Sequence, residues 1–130
     1  ANPDMTSAMK AMNNTMLVIV MLESPNAIAQ VDEIAAVEGV DVVLIGTNDL
    51  SAASGIPGQV GNEKIEASYK TVAAACEKHG KWLGMGGVPA PELQKKYSSM
   101  GVRCVLSGQD MSVLINAATN TVERVRSYKI

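Results

Sequence analysis

Two acidic residues follow predicted strands at positions from which their side chains can bind one cation. Glu23 directly follows the apolar segment Leu17–Leu22, and Asp49 lies three residues after the apolar segment Val42–Gly46. Neighbouring parallel strands lie about 4.8 Å apart, so carboxylates at corresponding strand ends can reach a single ion. Two carboxylates, several waters and open positions for substrate oxygens are typical of a Mg²⁺ or Mn²⁺ site. The spacing therefore predicts a divalent metal site.

Each carboxylate also has a structural interpretation. Glu23 could be a solvated residue that ends a strand or assists a helix cap at Ser24, and Asp49 could begin a small turn over residues 48–51. A third acidic residue, Asp110, follows the last predicted strand and is better explained as a cap of the last helix. The metal hypothesis depends on the matching positions of Glu23 and Asp49 on successive strands. A non-catalytic α/β binding domain with two structural carboxylates is the alternative.

The predicted elements alternate between short apolar strands and helices. Strands are predicted at Leu17–Leu22, Val42–Gly46, Trp82–Gly86 and Cys104–Gly108, and helices at Thr6–Asn13, Pro25–Glu38, Glu63–His79, Pro91–Met100 and Met111–Tyr128. Near-continuous apolar strands are typical of a parallel sheet covered by helices on both faces, which predicts the α/β class. Gly39, Gly80 and Gly101 are each expected to end a helix before the next strand.

Strand number favours one of the two common α/β architectures. Four strands are few for an open doubly wound sheet and half of the eight that a (β/α)-barrel requires. The first predicted helix has no strand before it, which suggests that the chain begins in mid-fold. The prediction is therefore the second half of a barrel.

Basic side chains are predicted to lie away from the two carboxylates. Lys81 and Arg103 precede their predicted strands, and His79, the one histidine, ends a predicted helix on the far side of the sheet. Because ligands of α/β folds bind at the carboxyl ends of the strands, none of these residues is placed at the site. Schiff-base chemistry, which needs a lysine, is disfavoured.

Composition excludes several classes of partner. The 130 residues include 11 basic and 13 acidic side chains, and Lys95–Lys96 is the longest basic run, so nucleic acid is not an expected partner. The longest apolar run, Met16–Leu22, is too short to span a membrane, and the first residues lack a signal-peptide pattern. Cys76 and Cys104 are expected to be free buried thiols, which favours a cytoplasmic location.

The motifs around both carboxylates resemble those of the class II pyruvate aldolases. Residues 18–24 form a strand ending in glutamate, residues 37–41 form a Val-Glu-Gly-Val-Asp joint, and residues 45–51 read Ile-Gly-Thr-Asn-Asp-Leu-Ser. This combination is similar to hydroxy-oxo-heptanedioate aldolase and dehydro-deoxy-glucarate aldolase, with macrophomate synthase as a relative. The resemblance runs along essentially the whole chain but covers only about half of the family's eight-stranded barrel.

The resemblance implies a fold, an activity and a set of site residues. The fold would be a TIM-type (β/α)-barrel of the phosphoenolpyruvate/pyruvate superfamily, with residues 1–130 as one region, its C-terminal part. The activity would be a metal-dependent, reversible cleavage of a hydroxy-keto acid to pyruvate, or a close analogue, and an aldehyde. Glu23 and Asp49 would bind Mg²⁺ or Mn²⁺, while Gly46, Thr47 and Asn48 would hold the carboxylate of the keto acid. The metal would stabilise the enolate oxygen formed when the carbon–carbon bond breaks.

Departures from the family pattern qualify these expectations. Met21 stands where the family generally has a glutamine, and Thr47 replaces the proline of the usual Gly-Pro-x-Asp loop. The family's arginine and histidine belong to the first half of the barrel, so no catalytic residue is identified in this half, and the chain alone should be a poor aldolase. Association with the missing half or with a second copy is expected. Metal-dependent lyases of acyl thioesters, or enzymes acting on enolpyruvate phosphates, are the other possible chemistries.

Overall fold

A computed structural model describes residues 4–128 and shows a parallel sheet whose strands alternate with helices. The elements in chain order are α1 (Met5–Thr15), β1 (Ile19–Leu22), α2 (Pro25–Ala29), α3 (Val31–Ala35), β2 (Val42–Gly46), α4 (Thr47–Ala53), α5 (Glu63–His79), β3 (Trp82–Gly86), α6 (Pro91–Ser98), β4 (Val102–Val105) and α7 (Asp110–Arg126). The predicted α/β class is confirmed. Within residues 4–128, no helix combines the length and apolarity needed to cross a membrane.

The strands lie in the sheet in the same order as in the chain. The order is β1-β2-β3-β4, and all three pairings are parallel. A doubly wound sheet reverses its strand order at a switch point, whereas a (β/α)-barrel adds each strand next to the previous one. The sheet therefore has the progressive topology of a barrel segment, as the sequence predicted.

The core lies between the sheet and its covering helices. Every residue of β2 is buried, because β2 is paired on both sides and packed on both faces. Tyr69 and Val72 of α5 are fully buried over this part of the sheet. Helix α5 is held at both ends: the Asn62 side chain accepts a hydrogen bond from the Lys64 amide, and Gly80 provides a left-handed C-cap with φ 65°.

Two helices and both sheet edges carry apolar side chains that nothing in the described chain covers. Neither α1 nor α7 contributes a buried residue. The exposed apolar residues of these elements are Met5, Met9 and Met12 on α1, Met111, Val113, Leu114, Ile115, Val122 and Val125 on α7, Ile19 and Met21 on β1, and Val105 on β4. We call these side chains the open apolar surface. An exposed apolar surface of this extent is typical of an interaction site.

Helix α4 was not predicted, since its Asn, Asp and Ser residues suggested a turn. The buried residues of this segment are Thr47, Leu50 and Ser51. Positions i, i+3 and i+4 lie on one face of a helix, so the segment forms a helix by burying that face.

Two other predicted boundaries were wrong. The helix predicted over Pro25–Glu38 is two short helices that meet at Gln30. The last strand is Val102–Val105 rather than Cys104–Gly108, so Arg103 lies within β4 instead of before it. The charge of Arg103 concealed the start of the strand. Its side chain is exposed, and it lies at a register shift where Val102 and Cys104 pair with β3 but Arg103 does not.

The predicted end signals are largely confirmed. The Ser24 hydroxyl accepts a hydrogen bond from the Ala27 amide at 3.2 Å and caps α2. Gly39, Gly80 and Gly101 all have left-handed backbones, with φ of 87°, 65° and 108°. Gly80 directly follows its helix, whereas the other two come a few residues after α3 and α6.

Both cysteines are free, but only one is fully buried. Cys76 lies inside α5, where burial raises the pKa of its thiol to about 11. Cys104 on β4 is only partly buried, so the prediction of two buried thiols was wrong for this residue.

Gly84 lies where the sheet has no room for a side chain. A Cβ on Gly84 would lie 2.9 Å from Leu44 Cβ and 3.1 Å from Leu44 Cα. Because Leu44 belongs to the buried central strand, Gly84→Ala should lower the free energy of unfolding by about 1–3 kcal/mol in urea denaturation. Gly108→Ala is the matched control, since its Cβ would meet only Val113, at 3.7 Å. An equal loss in both variants would contradict the packing explanation.

Candidate functional site

The Glu23 side chain packs against the carboxyl end of β2. Leu22 of β1 pairs with Ile45 of β2 in the parallel register, so the residues that follow them, Glu23 and Gly46, are neighbours. A Cβ on Gly46 would lie 2.7 Å from Glu23 Cγ and 2.8 Å from Glu23 Oε1. The glutamate side chain therefore occupies the space that the glycine leaves free.

Asp49 lies on helix α4, at the same edge of the sheet, meaning the edge formed by the carboxyl ends of the strands. Gly46 is the N-cap residue of α4, and Asp49 lies in the first turn. Because Thr47, Leu50 and Ser51 form the buried face, Asn48 and Asp49 are exposed on the other side of the helix. Both predicted metal ligands thus lie at the carboxyl ends of two adjacent strands.

No positive charge neutralises these carboxylates within the part of the chain that the structure describes. Neither Glu23 nor Asp49 makes an ion pair or a side-chain hydrogen bond with another residue among 4–128. The two basic residues of the strand region are at the opposite edge: Lys81 Nζ donates to the Val40 carbonyl at 2.7 Å, and Arg103 Nη1 donates to the Val102 carbonyl at 3.2 Å. Two uncompensated carboxylates at one edge favour a cation there.

The available ligands fit a hard divalent ion that retains water. Among residues 4–128 there is no cluster of three or more His, Cys, Asp or Glu side chains that could hold a metal. A metal at this edge would take two protein carboxylates and complete its shell with water or substrate oxygens. Mg²⁺ is commonly bound through one or two carboxylates in this way, whereas structural zinc sites require four protein ligands.

The expected contact of Thr47 with substrate is through its backbone amide, and its side chain lies in the protein interior. Its hydroxyl is fully buried, with Oγ1 2.8 Å from the Tyr69 hydroxyl and 3.4 Å from the Ile45 carbonyl. The first amides of a helix have no partner within the helix, so those of Thr47 and Asn48 are suited to an anion.

Gly87 keeps the approach to Asn48 open. Its φ is 74°, and a Cβ at this position would lie 3.1 Å from both the backbone nitrogen and Nδ2 of Asn48. A side chain on Gly87 would therefore crowd the amide that is a candidate for binding the substrate carboxylate. The sequence showed several glycines at the end of β3 but not which one faces the site.

Sequence reasoning missed two supports of this edge. Ser51 Oγ donates to the Asn48 carbonyl at 2.7 Å and accepts from the Gly58 amide at 3.0 Å, which ties α4 to the following loop. Tyr69 contacts Thr47 from α5, as described above. Ser51 was grouped with the turn residues, and the useful signal for Tyr69 was its position on the apolar face of a long helix.

The remaining candidates do not join the site. Asp110 is the first residue of α7, and its Oδ1 accepts a hydrogen bond from the Met111 amide at 2.7 Å. The N-cap position belongs to Gln109, so the prediction that Asp110 caps the helix was wrong by one residue. His79 lies on the far side, as predicted, with Nε2 2.9 Å from Asp32 Oδ1. Hydrogen bonds from Lys78 and then His79 lower the pKa of the Asp32 carboxyl.

Sequence comparison identifies related proteins of about twice the length. The family model described as HpcH/HpaI aldolase/citrate lyase matches residues 3–117. The chain is 37 % identical over 115 residues to a 4-hydroxy-4-methyl-2-oxoglutarate aldolase of Hapsidospora irregularis, covering 87 % of this chain and 43 % of that protein. It is 36 % identical over 112 residues to a hydroxypyruvate/pyruvate aldolase of Delftia acidovorans, covering 86 % and 41 %. The chain thus spans less than half the length of these relatives.

Solved structures agree with the sequence comparison. An HpcH/HpaI aldolase/citrate lyase family protein from Burkholderia cenocepacia superimposes with a TM-score of 0.82 at 29 % identity, covering 93 % of this chain and 47 % of that one. An HpcH/HpaI aldolase from Desulfitobacterium hafniense gives 0.84 at 23 % identity, covering 99 % and 50 %, which supports the fold. The family model and the relatives together show that this chain belongs to the HpcH/HpaI aldolase/citrate lyase family.

Proposed function

We propose that this chain forms the metal-binding part of a class II aldolase site, in which Glu23 and Asp49 bind Mg²⁺ or Mn²⁺. The observation that carries the proposal is the packing of Glu23 on Gly46, at the residue where the helix bearing Asp49 begins. Both carboxylates lack a cationic partner in the described chain, as a pair of metal ligands would. A divalent ion bound there supplies charge stabilisation for the enolate oxygen of a keto acid.

The substrate class we propose is a hydroxy-keto acid that yields pyruvate, or a close analogue, and an aldehyde. The names of two relatives refer to a substituted oxoglutarate and to hydroxypyruvate and pyruvate, which are 2-keto acids. The amides of Thr47 and Asn48 at the start of α4 would donate to the carboxylate of the keto acid, with Gly46 and Gly87 leaving the space. Met21 is exposed beside this edge and would offer an apolar contact in place of a polar one.

We further propose that residues 1–130 act as the C-terminal part of a barrel whose remaining strands lie outside this sequence. Four parallel strands are half of a (β/α)-barrel, and the open apolar surface includes both outer strands. The rest of the barrel or a second copy of this chain would cover that surface and would bring the proton-transferring groups.

The two free cysteines support a reducing, cytoplasmic compartment for this protein.

Replacing either carboxylate should weaken metal binding at this edge. Glu23→Gln and Asp49→Asn keep the side-chain shape and remove one anionic ligand, so each should raise the Mn²⁺ dissociation constant at least about tenfold in titrations followed by electron paramagnetic resonance. Glu38→Gln is the control, because it removes one exposed negative charge away from the site. Equal weakening in all three variants would indicate a non-specific charge effect, and the two carboxylates would then be structural.

A methyl group on Gly46 should disturb the site more than the fold. Gly46→Ala places a Cβ in the space now filled by Glu23 Cγ and Oε1, and the exposed glutamate side chain can swing away. We expect a rise in the Mn²⁺ dissociation constant of roughly 10–100-fold, as for other changes that reorient a ligand, with little change in the urea midpoint. A large loss of stability with unchanged affinity would contradict this placement of Glu23.

Enolate chemistry is the test of the proposed activity. The exchange of pyruvate methyl protons in D₂O, followed by NMR with Mg²⁺ and then with a chelator, should be negligible for this chain alone, because Glu23 and Asp49 would be occupied as metal ligands and His79 lies on the far side of the sheet. Bound metal without exchange fits the proposed part-site. Exchange that the chelator abolishes would show that this chain or its second copy provides a base. If the protein shows no exchange and also binds no metal, the aldolase proposal for this chain is refuted.

A further inference from the structure

We propose that Tyr69 is a positioning residue for the metal and carboxylate site and that it acts through the hydroxyl of Thr47. The inference rests on the proposed function and goes further by assigning a role to a buried residue that touches neither carboxylate. It predicts that the hydroxyl of Tyr69, and not its ring alone, sets the affinity of the site.

The start of α4 depends on outside support. Its N-cap residue is Gly46, which has no side chain to cap the helix, and no side-chain cap hydrogen bond is made there. A helix of seven residues is also too short to be stable by itself. Thr47 Oγ1 makes two hydrogen bonds, a long one of 3.4 Å to the nearby Ile45 carbonyl and a short one of 2.8 Å with the Tyr69 hydroxyl, and the second connects the first helical residue to α5.

Thr47 lies within two residues of the other groups that β2 and α4 contribute to the proposed site. Gly46, which packs against Glu23, precedes Thr47, and Asn48 and Asp49 follow it. A rotation of the first turn of α4 would move the Asn48 amide and the Asp49 carboxylate together. Metal ligands keep their geometry through such indirect supports, whose loss commonly weakens metal binding 10–100-fold.

Tyr69 is itself held rigidly by two helices. It lies fully buried on the capped helix α5, and its ring stacks on Tyr97 of α6 with a centroid separation of 3.9 Å and an interplanar angle of 7°. Helix α6 is joined to α5 by the ion pair between Lys96 Nζ and Glu66 Oε2, at 2.6 Å. The Tyr69 hydroxyl therefore has a fixed position, and its hydrogen bond with Thr47 positions the start of α4.

The hydroxyl acts as a neutral group. Burial raises the pKa of Tyr69, and the hydrogen bond with Thr47 opposes this only in part. The phenol therefore keeps its proton throughout the range in which the protein would work. It can donate or accept a hydrogen bond to orient Thr47, but it supplies no charge and no proton to the site.

Tyr97 provides a matched control for a purely structural role. Its hydroxyl is also buried and donates to a carbonyl, that of Val60, at 2.7 Å, and it makes no side-chain hydrogen bond to α4 among residues 4–128. Tyr69→Phe and Tyr97→Phe each remove one buried hydroxyl from the same pair of stacked rings. Both should lower the urea midpoint by similar amounts, because each leaves one buried partner without its hydrogen bond.

The two variants should differ in binding. Mn²⁺ titrations followed by electron paramagnetic resonance, then pyruvate titrations of the Mn²⁺-loaded protein, should show weakening of about tenfold for Tyr69→Phe and no change for Tyr97→Phe. Equal affinities for the two variants, while the wild type binds Mn²⁺, would overturn the positioning role and leave the proposed function intact. Failure of the wild type to bind Mn²⁺ would overturn both.

Substitutions of Thr47 provide the second, independent measurement. Thr47→Val removes the hydroxyl and keeps the shape, whereas Thr47→Ser keeps the hydroxyl, so only the valine variant should reproduce the loss of Mn²⁺ affinity. The double variant with Tyr69→Phe and Thr47→Val should bind no more weakly than either single variant, because the two share one hydrogen bond. Additive losses in the double variant, or equal losses for valine and serine, would overturn the proposed link.

Discussion

Burial of β2 is the constraint on which the rest of the structure depends. All five residues of this strand are removed from water, so each backbone amide and carbonyl must find its partner in β1 or β3. The helices that connect the three strands make the pairing parallel, which brings the carboxyl ends of the strands to one edge. The apolar residues Val42–Ile45 thus determine where polar residues can gather, although none of them takes part in the chemistry.

The periodicity of helix α4, which follows β2, separates its buried residues from its exposed ones. One face of α4 carries Thr47, Leu50 and Ser51 into the interior, and the other leaves Asn48 and Asp49 in solvent. A strand or an extended loop would have alternated these residues and placed Asn48 opposite Asp49. In the helical conformation, residues that are adjacent in sequence can lie either in the core or at the site. Thr47, whose hydroxyl bonds Tyr69, directly precedes the exposed Asn48.

The sequence predicted the class, the strand order of a barrel segment and the edge where the carboxylates lie. These follow from apolar runs and glycine signals, which depend mainly on local chain properties. It did not predict α4, because the polar residues in that segment have equally good local explanations as a turn and only burial against α5 decides between them. The predicted start of β4 was also wrong, since Arg103 has an exposed side chain and lies at a register shift, where the ladder pairs Val102 and Cys104 but skips Arg103. The link from Tyr69 to Thr47 joins residues 22 positions apart and depends on tertiary packing that one sequence does not reveal.

The composition of α1 gives its part of the open apolar surface a particular physical character. Met5, Met9 and Met12 lie along this helix, exposed by 79 %, 59 % and 62 %. Methionine is unbranched and polarisable, so such a surface can adapt to the shape of whatever covers it and does not require a rigid match. The same thioethers are readily oxidised to polar sulfoxides when they are uncovered. Contact through α1 would therefore be tolerant of shape but sensitive to oxidants, and its strength would vary with the redox history of the protein.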